Sequence, residues 1–227
     1  MRYQWKHLIS DLNSSIDVKA SLGKRKDVIG EKRHDRKSSS RARGGGVAIY
    51  VRDNIKAKII SKSRANGLTE FLFLEIVNEC RKKLNFGIVY NPPDNKSLLP
   101  LWNSLKNISK SGNDILMVGD FNINLLSTST SSKNLINELL PLGLFCTQSE
   151  PTNFSNINNP SLIDLVFCES FKLKKLSQIS PGSYTTHDAI FGVYDFNGRA
   201  RLEFFTEKSL QINISNYKNK NICYSKP

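Results

Sequence analysis

Five residues stand where apolar runs end or break, and their types suit work on a phosphate. Tyr90 closes LNFGIVY, and Asp120 and Asn122 follow the apolar climb DILMVG. Asp164 interrupts SLIDLVF, and His187 stands directly before DAIFGVYDF. Hydrolysis of a phosphate ester needs a base for the attacking water, groups that hold the phosphoryl oxygens, and stabilisation of the leaving oxygen. An acid with an amide two residues away can orient water and phosphate from one loop. A buried Asp can fix the tautomer of an imidazole so that its other nitrogen faces the phosphate. A tyrosine hydroxyl can donate to the same oxygens. Each residue also has a structural reading. Tyr90 would be a core residue with an exposed hydroxyl, Asp120 a turn cap, Asp164 the partner of a lysine or arginine that offsets its burial, and His187 a structural ring. Together they weigh more than singly, because one reaction uses all of them.

For these residues to meet, strands must carry them. GGGVAIYVRD reads as a strand, with three glycines before it and Asp53-Asn54 as the turn after it. Glu70–Val77 and Leu84–Tyr90, split by NECRKK, predict an antiparallel hairpin that Pro92 and Pro93 stop. KSLLPLWNSLKNISKSG has apolar residues at helical spacing, with Pro100 near its first turn and Gly112 past its end. DILMVGD is apolar enough for a sheet covered on both faces. SSKNLINELLPLG predicts a second helix, capped by Ser131 or Ser132 and stopped by Gly143. Ser161–Phe167 and Asp188–Phe196 predict further strands. This interleaving predicts one layered α/β domain over residues 44–197, preceded by a basic segment at 1–43 and followed by a tail, or a truncated continuation, at 198–227.

The chain has 227 residues, enough for a sizeable core, and 39% hydrophobic against 23% charged residues argues against wholesale disorder. No apolar run approaches the roughly 20 residues of a membrane helix, and the start lacks a signal-peptide core. An intracellular protein with no membrane partner is expected. Cys80, Cys146, Cys168 and Cys223 are far apart without a CxxC pair, so reduced thiols are expected rather than zinc or disulfides. The net charge of +13 favours a polyanionic partner. Residues 1–43 hold 12 Lys and Arg against 5 Asp and Glu, which fits a solvated basic arm or a DNA-facing surface.

RGGGVAIYV, VYNPP, MVGDFN, SLIDLVF and THDAI, in this order and at these intervals, resemble the endonuclease/exonuclease/phosphatase superfamily. The wording is most similar to the apurinic-type endonuclease domain that precedes the reverse transcriptase in jockey-like non-LTR retrotransposons. The resemblance spans about residues 10–197. It implies a four-layered α/β sandwich of the DNase I-like type, two facing mixed sheets with outer helices, here without its first strand. It also implies Mg²⁺-dependent nicking of DNA in the nucleus, leaving a primer for a linked reverse transcriptase. Carried over by motif, Asp120 would activate water, and Asn122 would position water and phosphate. Asp164 would orient His187, His187 would contact the scissile phosphate, and Tyr90 would support the phosphate or leaving group. Ser161 and Thr152 would lie near the DNA as substrate-binding residues.

The departures fall on the metal side. Thr186 stands where the family has an Asp before the histidine, and Asp188, one residue on, points to the opposite face of a strand. Ile9 occupies the place of a metal-binding Glu, with Asp11 the nearest acid. Metal ligands are therefore left unassigned, and weaker Mg²⁺ binding is expected. Two other readings stand beside the nuclease: a non-catalytic nucleic-acid-binding remnant, and a phosphatase acting on a phosphomonoester or phosphoinositide.

Overall fold

The computed structural model describes residues 15–22, 31–35, 46–51, 55–64, 69–78, 80–95, 97–180, 185–195 and 201–208, with the backbone alone for 15–22, 31–35, 46 and 201–208. In chain order the strands are β1 (Ser15–Leu22), β2 (Glu31–Asp35), β3 (Gly46–Val51), β4 (Lys56–Lys62), β5 (Glu70–Val77) and β6 (Lys83–Tyr90). They continue as β7 (Asp114–Asp120), β8 (Phe145–Cys146), β9 (Asp164–Cys168), β10 (Leu173–Ile179), β11 (Ala189–Asp195) and β12 (Arg201–Lys208). The helices are α1 (Leu99–Ser109) and α2 (Thr130–Leu139). Two six-stranded sheets result, ordered β10-β11-β12-β1-β3-β2 and β4-β5-β6-β7-β9-β8. Each contains one parallel pair among antiparallel ones, β1 with β12 and β6 with β7.

The expected hairpin is present: β5 and β6 pair antiparallel, with Glu70 opposite Tyr90. In β5, β6 and β7 nearly every residue is buried, because alternate side chains enter two different cores. Leu72, Leu74, Phe86, Ile88, Leu116 and Val118 pack between the sheets with Val47, Ile49 and Ile190. Phe71, Phe73, Val89, Ile115 and Met117 face the other way and meet Leu101, Leu105, Ile108, Leu135 and Leu139 of the helices. Each fully buried side chain of this size contributes about 2 kcal/mol. Packing of that order holds helices of only 11 and 10 residues, which would be marginal alone. Both described helices cover the same outer face of the two-sheet sandwich.

Local signals explain most boundaries, with two differences. Pro100 sits at the start of α1, and Gly143 (φ 69°) ends the short 3₁₀ turn that prolongs α2. The α2 cap is Ser129, not Ser131 or Ser132: its side chain accepts from the Ser132 N–H at 3.1 Å. The first sheet also draws strands from both sides of residues 44–197. Within the basic segment, SIDVKASL alternates apolar and polar residues beneath its charge and forms β1, while β2 pairs with β3. Where a fraying tail is expected after Asn197, RLEFFTEK forms β12 between β11 and β1. Ile9 and Asp11 lie outside the described residues. Among the described residues no helix is long and apolar enough to cross a membrane.

Candidate active site

The site is built at one end of the second sheet, where register lines up its polar residues. Tyr90 on β6 stands opposite Asp120 on β7, and Asp120 opposite Asp164 on β9. Leu116 and Val118 face the space between the sheets, so by period two Asp120 faces it as well, and so does Asp164 beside Val166. Between Val118 and Asp120 the chain admits only glycine. Gly119 has φ 151°, and a Cβ there would lie 1.9 Å from the Val89 carbonyl oxygen. The parallel strands thus approach closely just where the carboxylate emerges.

After Asp120 the turn is held from both sides. Phe121 is fully buried on the helix side, edge-on to Phe167 at 5.4 Å, and its N–H donates to the Ile163 carbonyl at 2.9 Å. Asn122 takes φ 49°, a left-handed conformation that asparagine tolerates better than most residues, and its N–H donates to Asp120 Oδ1 at 3.1 Å. Asn91, just after Tyr90, grips all three turn residues. Its N–H donates to the Asp120 carbonyl (2.8 Å), its side chain to the Phe121 carbonyl (3.0 Å), and its own carbonyl accepts from Asn122 Nδ2 (2.7 Å). Asn95 in turn donates to Asn91 Oδ1 at 2.6 Å and to Thr69 Oγ1 at 2.7 Å.

The other half joins segments far apart in sequence. Asp164 Oδ2 lies 2.8 Å from His187 Nδ1, as expected for an imidazole oriented by a carboxylate. Burial, and then the charge of Asp120, raises the Asp164 carboxyl above its ordinary value, against the lowering effect of hydrogen bonds from His187 and Thr152. Thr152 does not lie at a substrate surface. It is fully buried, and its Oγ1 accepts the N–H groups of Ile163 (3.2 Å) and Asp164 (2.9 Å), so it positions the carboxylate instead. Ser161 is half-buried and pairs through its backbone with Asn153. Gln148 braces β9, donating to the Asp164 carbonyl (2.9 Å) and accepting from the Val166 N–H (2.6 Å). His187 Nε2, expected to face the phosphate, is 2.9 Å from Asn153 Nδ2.

Asp120, Asp164 and His187 each bring a ligand atom within 4.8 Å of the other two, and all three are buried. Two buried carboxylates this close repel each other, and a divalent cation relieves that repulsion with the oxygen donors it prefers. The carboxylates of Asp120 and Asp164 therefore fit such an ion, while both His187 ring nitrogens are already hydrogen-bonded. Asp188 takes no part in this group. Its Oδ2 meets Gln178 Nε2 at 3.4 Å, and the Thr186 hydroxyl pairs with Ser155 at 2.8 Å.

Tyr90, Asp120, Asn122, Asp164 and His187, the five catalytic candidates among the seven site residues read from the sequence, lie at this end of the fold. Asn91, Asn95, Gln148 and Asn153 were not nominated. Only the polar run NPPDN and the Asn directly after Thr152 mark three of them in the sequence.

No protein-family model matches the chain, and no curated protein matches it in sequence. Among solved structures, the endonuclease domain of TRAS1, a telomere-specific non-LTR retrotransposon, matches with a TM-score of 0.63 at 13% identity, over 82% of this chain and 100% of that one. An endonuclease/exonuclease/phosphatase family protein from Bacteroides thetaiotaomicron matches at TM-score 0.46 and 12% identity, over 78% of this chain and 76% of its own. Truncated Caenorhabditis elegans TDP2 matches at 0.44 and 13%, over 70% and 74%. The TRAS1 likeness establishes the architecture that the motifs imply: the chain has a DNase I-like α/β sandwich fold, two facing mixed sheets, which it shares with that endonuclease domain.

Proposed function

We propose that this chain is a metal-dependent phosphodiesterase that nicks DNA, the endonuclease domain of a retrotransposon whose cut primes reverse transcription in the nucleus. The observation that carries the reading is the Asp164–His187 pair set within 4.8 Å of Asp120 in a fold shared with the TRAS1 endonuclease domain. The net charge of +13 supports a polyanionic substrate. Asp120 takes the proton of a water ordered inside the site, since the carboxylate itself has no exposed surface. Asn122, locked by Asn91, aligns that water and a phosphate oxygen. Tyr90, half-buried beside Asp120, donates its hydroxyl to the phosphate or the leaving oxygen. A Mg²⁺ held by Asp120 and Asp164 would supply positive charge against the phosphate as charge builds on it.

The test is conversion of supercoiled plasmid to the open circle by purified protein in millimolar Mg²⁺, with Asp120→Ala beside it. Nicking that EDTA and Asp120→Ala both abolish is expected. Absence of nicking by the parent protein would overturn the reading.

A second reading, a nucleic-acid-binding remnant without catalysis, is favoured by Thr186 and Asp188, which add no acid to the Asp120 group. It requires salt-sensitive DNA binding that persists in Asp120→Ala without any nicking.

A further inference from the structure

His187 is not the outermost member of its own hydrogen-bonded chain. Its ring is buried, only 7% exposed, with Nδ1 on Asp164 and Nε2 on Asn153 Nδ2, whereas Asn153 is half-buried. The orientation of the Asn153 amide is fixed independently, because its Oδ1 accepts the Ser155 N–H at 2.7 Å. The nitrogen end must therefore face the ring. An amide nitrogen only donates, so Nε2 must accept, and the ring carries its proton on Nδ1, donated to Asp164. In this arrangement the Nε2 lone pair is engaged and His187 has no N–H to offer a phosphate on that side. The amide has a second N–H, which no described residue accepts.

Resting on the nuclease reading, we infer that Asn153 is a further catalytic residue: it donates its second N–H to a non-bridging oxygen of the scissile phosphate, and His187 acts through it as a positioning residue. The Asp164–His187 pair then serves to aim an amide. Asn153 is well placed for that task. Its backbone bridges both Ser161 and His187, so the loop carrying it is tied to β9 on one side and to the lead-in of β11 on the other. A neutral donor held in advance in a partly buried site stabilises developing phosphate charge without reorganising when the reaction occurs.

The discriminating variant is Asn153→Ser. Serine can still accept the Ser155 N–H and keep the turn, but it has no amide to place between ring and phosphate. With melting temperature and duplex affinity close to the parent's, Asn153→Ser is expected to nick plasmid roughly a hundredfold more slowly. Asn153→Asp, which turns an anion toward the phosphate, should be slower still. Nitrogen-15 spectra of His187 should show the ring proton on Nδ1 in the parent and a changed signature in Asn153→Asp. Parent-like nicking by Asn153→Ser, or a parent ring proton on Nε2, would overturn the assignment. Should the parent itself fail to nick, the nuclease reading falls, and titration with inorganic phosphate decides the rest. A saturable shift of the Asn153 side-chain NH₂ signals upholds its contact with phosphate, and no shift refutes it.

Discussion

Asp164 and His187 are separated by 23 positions in the chain and by the gap between two sheets, yet Oδ2 and Nδ1 meet at 2.8 Å. The bond joins β9 of one sheet to the lead-in of β11 in the other. Because both side chains are buried away from a DNA-facing surface, replacing either partner should damage turnover more than DNA affinity. His187→Ala and Asp164→Asn are each expected to lower kcat by roughly a thousandfold, with the Kd for a short duplex nearly unchanged in a fluorescence-anisotropy titration.

The same Asp164 carries a prediction about pH. Its carboxyl is raised above its ordinary value of 3.8, by burial first. A carboxyl raised on folding binds its proton more tightly in the folded state. It therefore favours the fold below the unfolded value, and that contribution is lost as pH rises through the folded value. At neutral pH without metal, Asp164→Asn should melt at or above the parent temperature although it is inactive. Mg²⁺ should raise the parent's melting temperature more than the variant's.

Asn122 separates backbone need from side-chain chemistry. Its φ of 49° suits asparagine or glycine. Asn122→Gly keeps the backbone but loses the bond to the buried Asn91 carbonyl, and is expected to cost about 1 kcal/mol together with the amide proposed to align water and phosphate. Asn122→Ala should lose activity equally and about 1 kcal/mol more than the glycine variant. Urea denaturation curves for the two, set beside their nicking rates, check both halves.

Thr152→Val keeps the shape of a fully buried side chain and removes the acceptor for two N–H groups. A loss of about 2 kcal/mol follows from leaving buried donors unmatched. Activity should fall through displacement of Asp164 rather than through DNA binding, which a comparison of kcat with Kd would show.

The thiols should react in order of access. Burial, followed by the charges of Glu169 and Cys146, pushes the Cys168 thiol up to about 12, while Cys80 is exposed. Brief iodoacetamide treatment near neutral pH should label Cys80 and leave Cys168 unmodified until the protein is denatured, as read by peptide mass mapping.

Much of this was legible in the sequence because strand ends are punctuated. Pro92 after Tyr90, Gly119 before Asp120 and the apolar run around Asp164 mark both the elements and the chemistry they carry. What stayed hidden depends on pairing across distance. Nothing local to RLEFFTEK says that it inserts between β11 and β1, and strong charge masks the alternation of SIDVKASL. Thr152 reads as a polar surface residue until the backbone of β9 is laid against it. Asn153 cannot be assigned a role until the hydrogen bonds of its own oxygen and nitrogen are both known.

The parallel pairing of β1 with β12 also sets a timetable for synthesis. The second sheet is drawn entirely from residues 56–168 and can close while later residues are still being made. The first cannot, because a strand that begins at residue 15 waits for one that begins at residue 201. His187 belongs to the late half, so a nascent chain displays Asp120 and Asp164 before their histidine is secured. Release from the ribosome at residue 197 would leave β1 and β11 with bare edges, and such a product should accumulate as aggregate rather than as a weakened form of the folded protein.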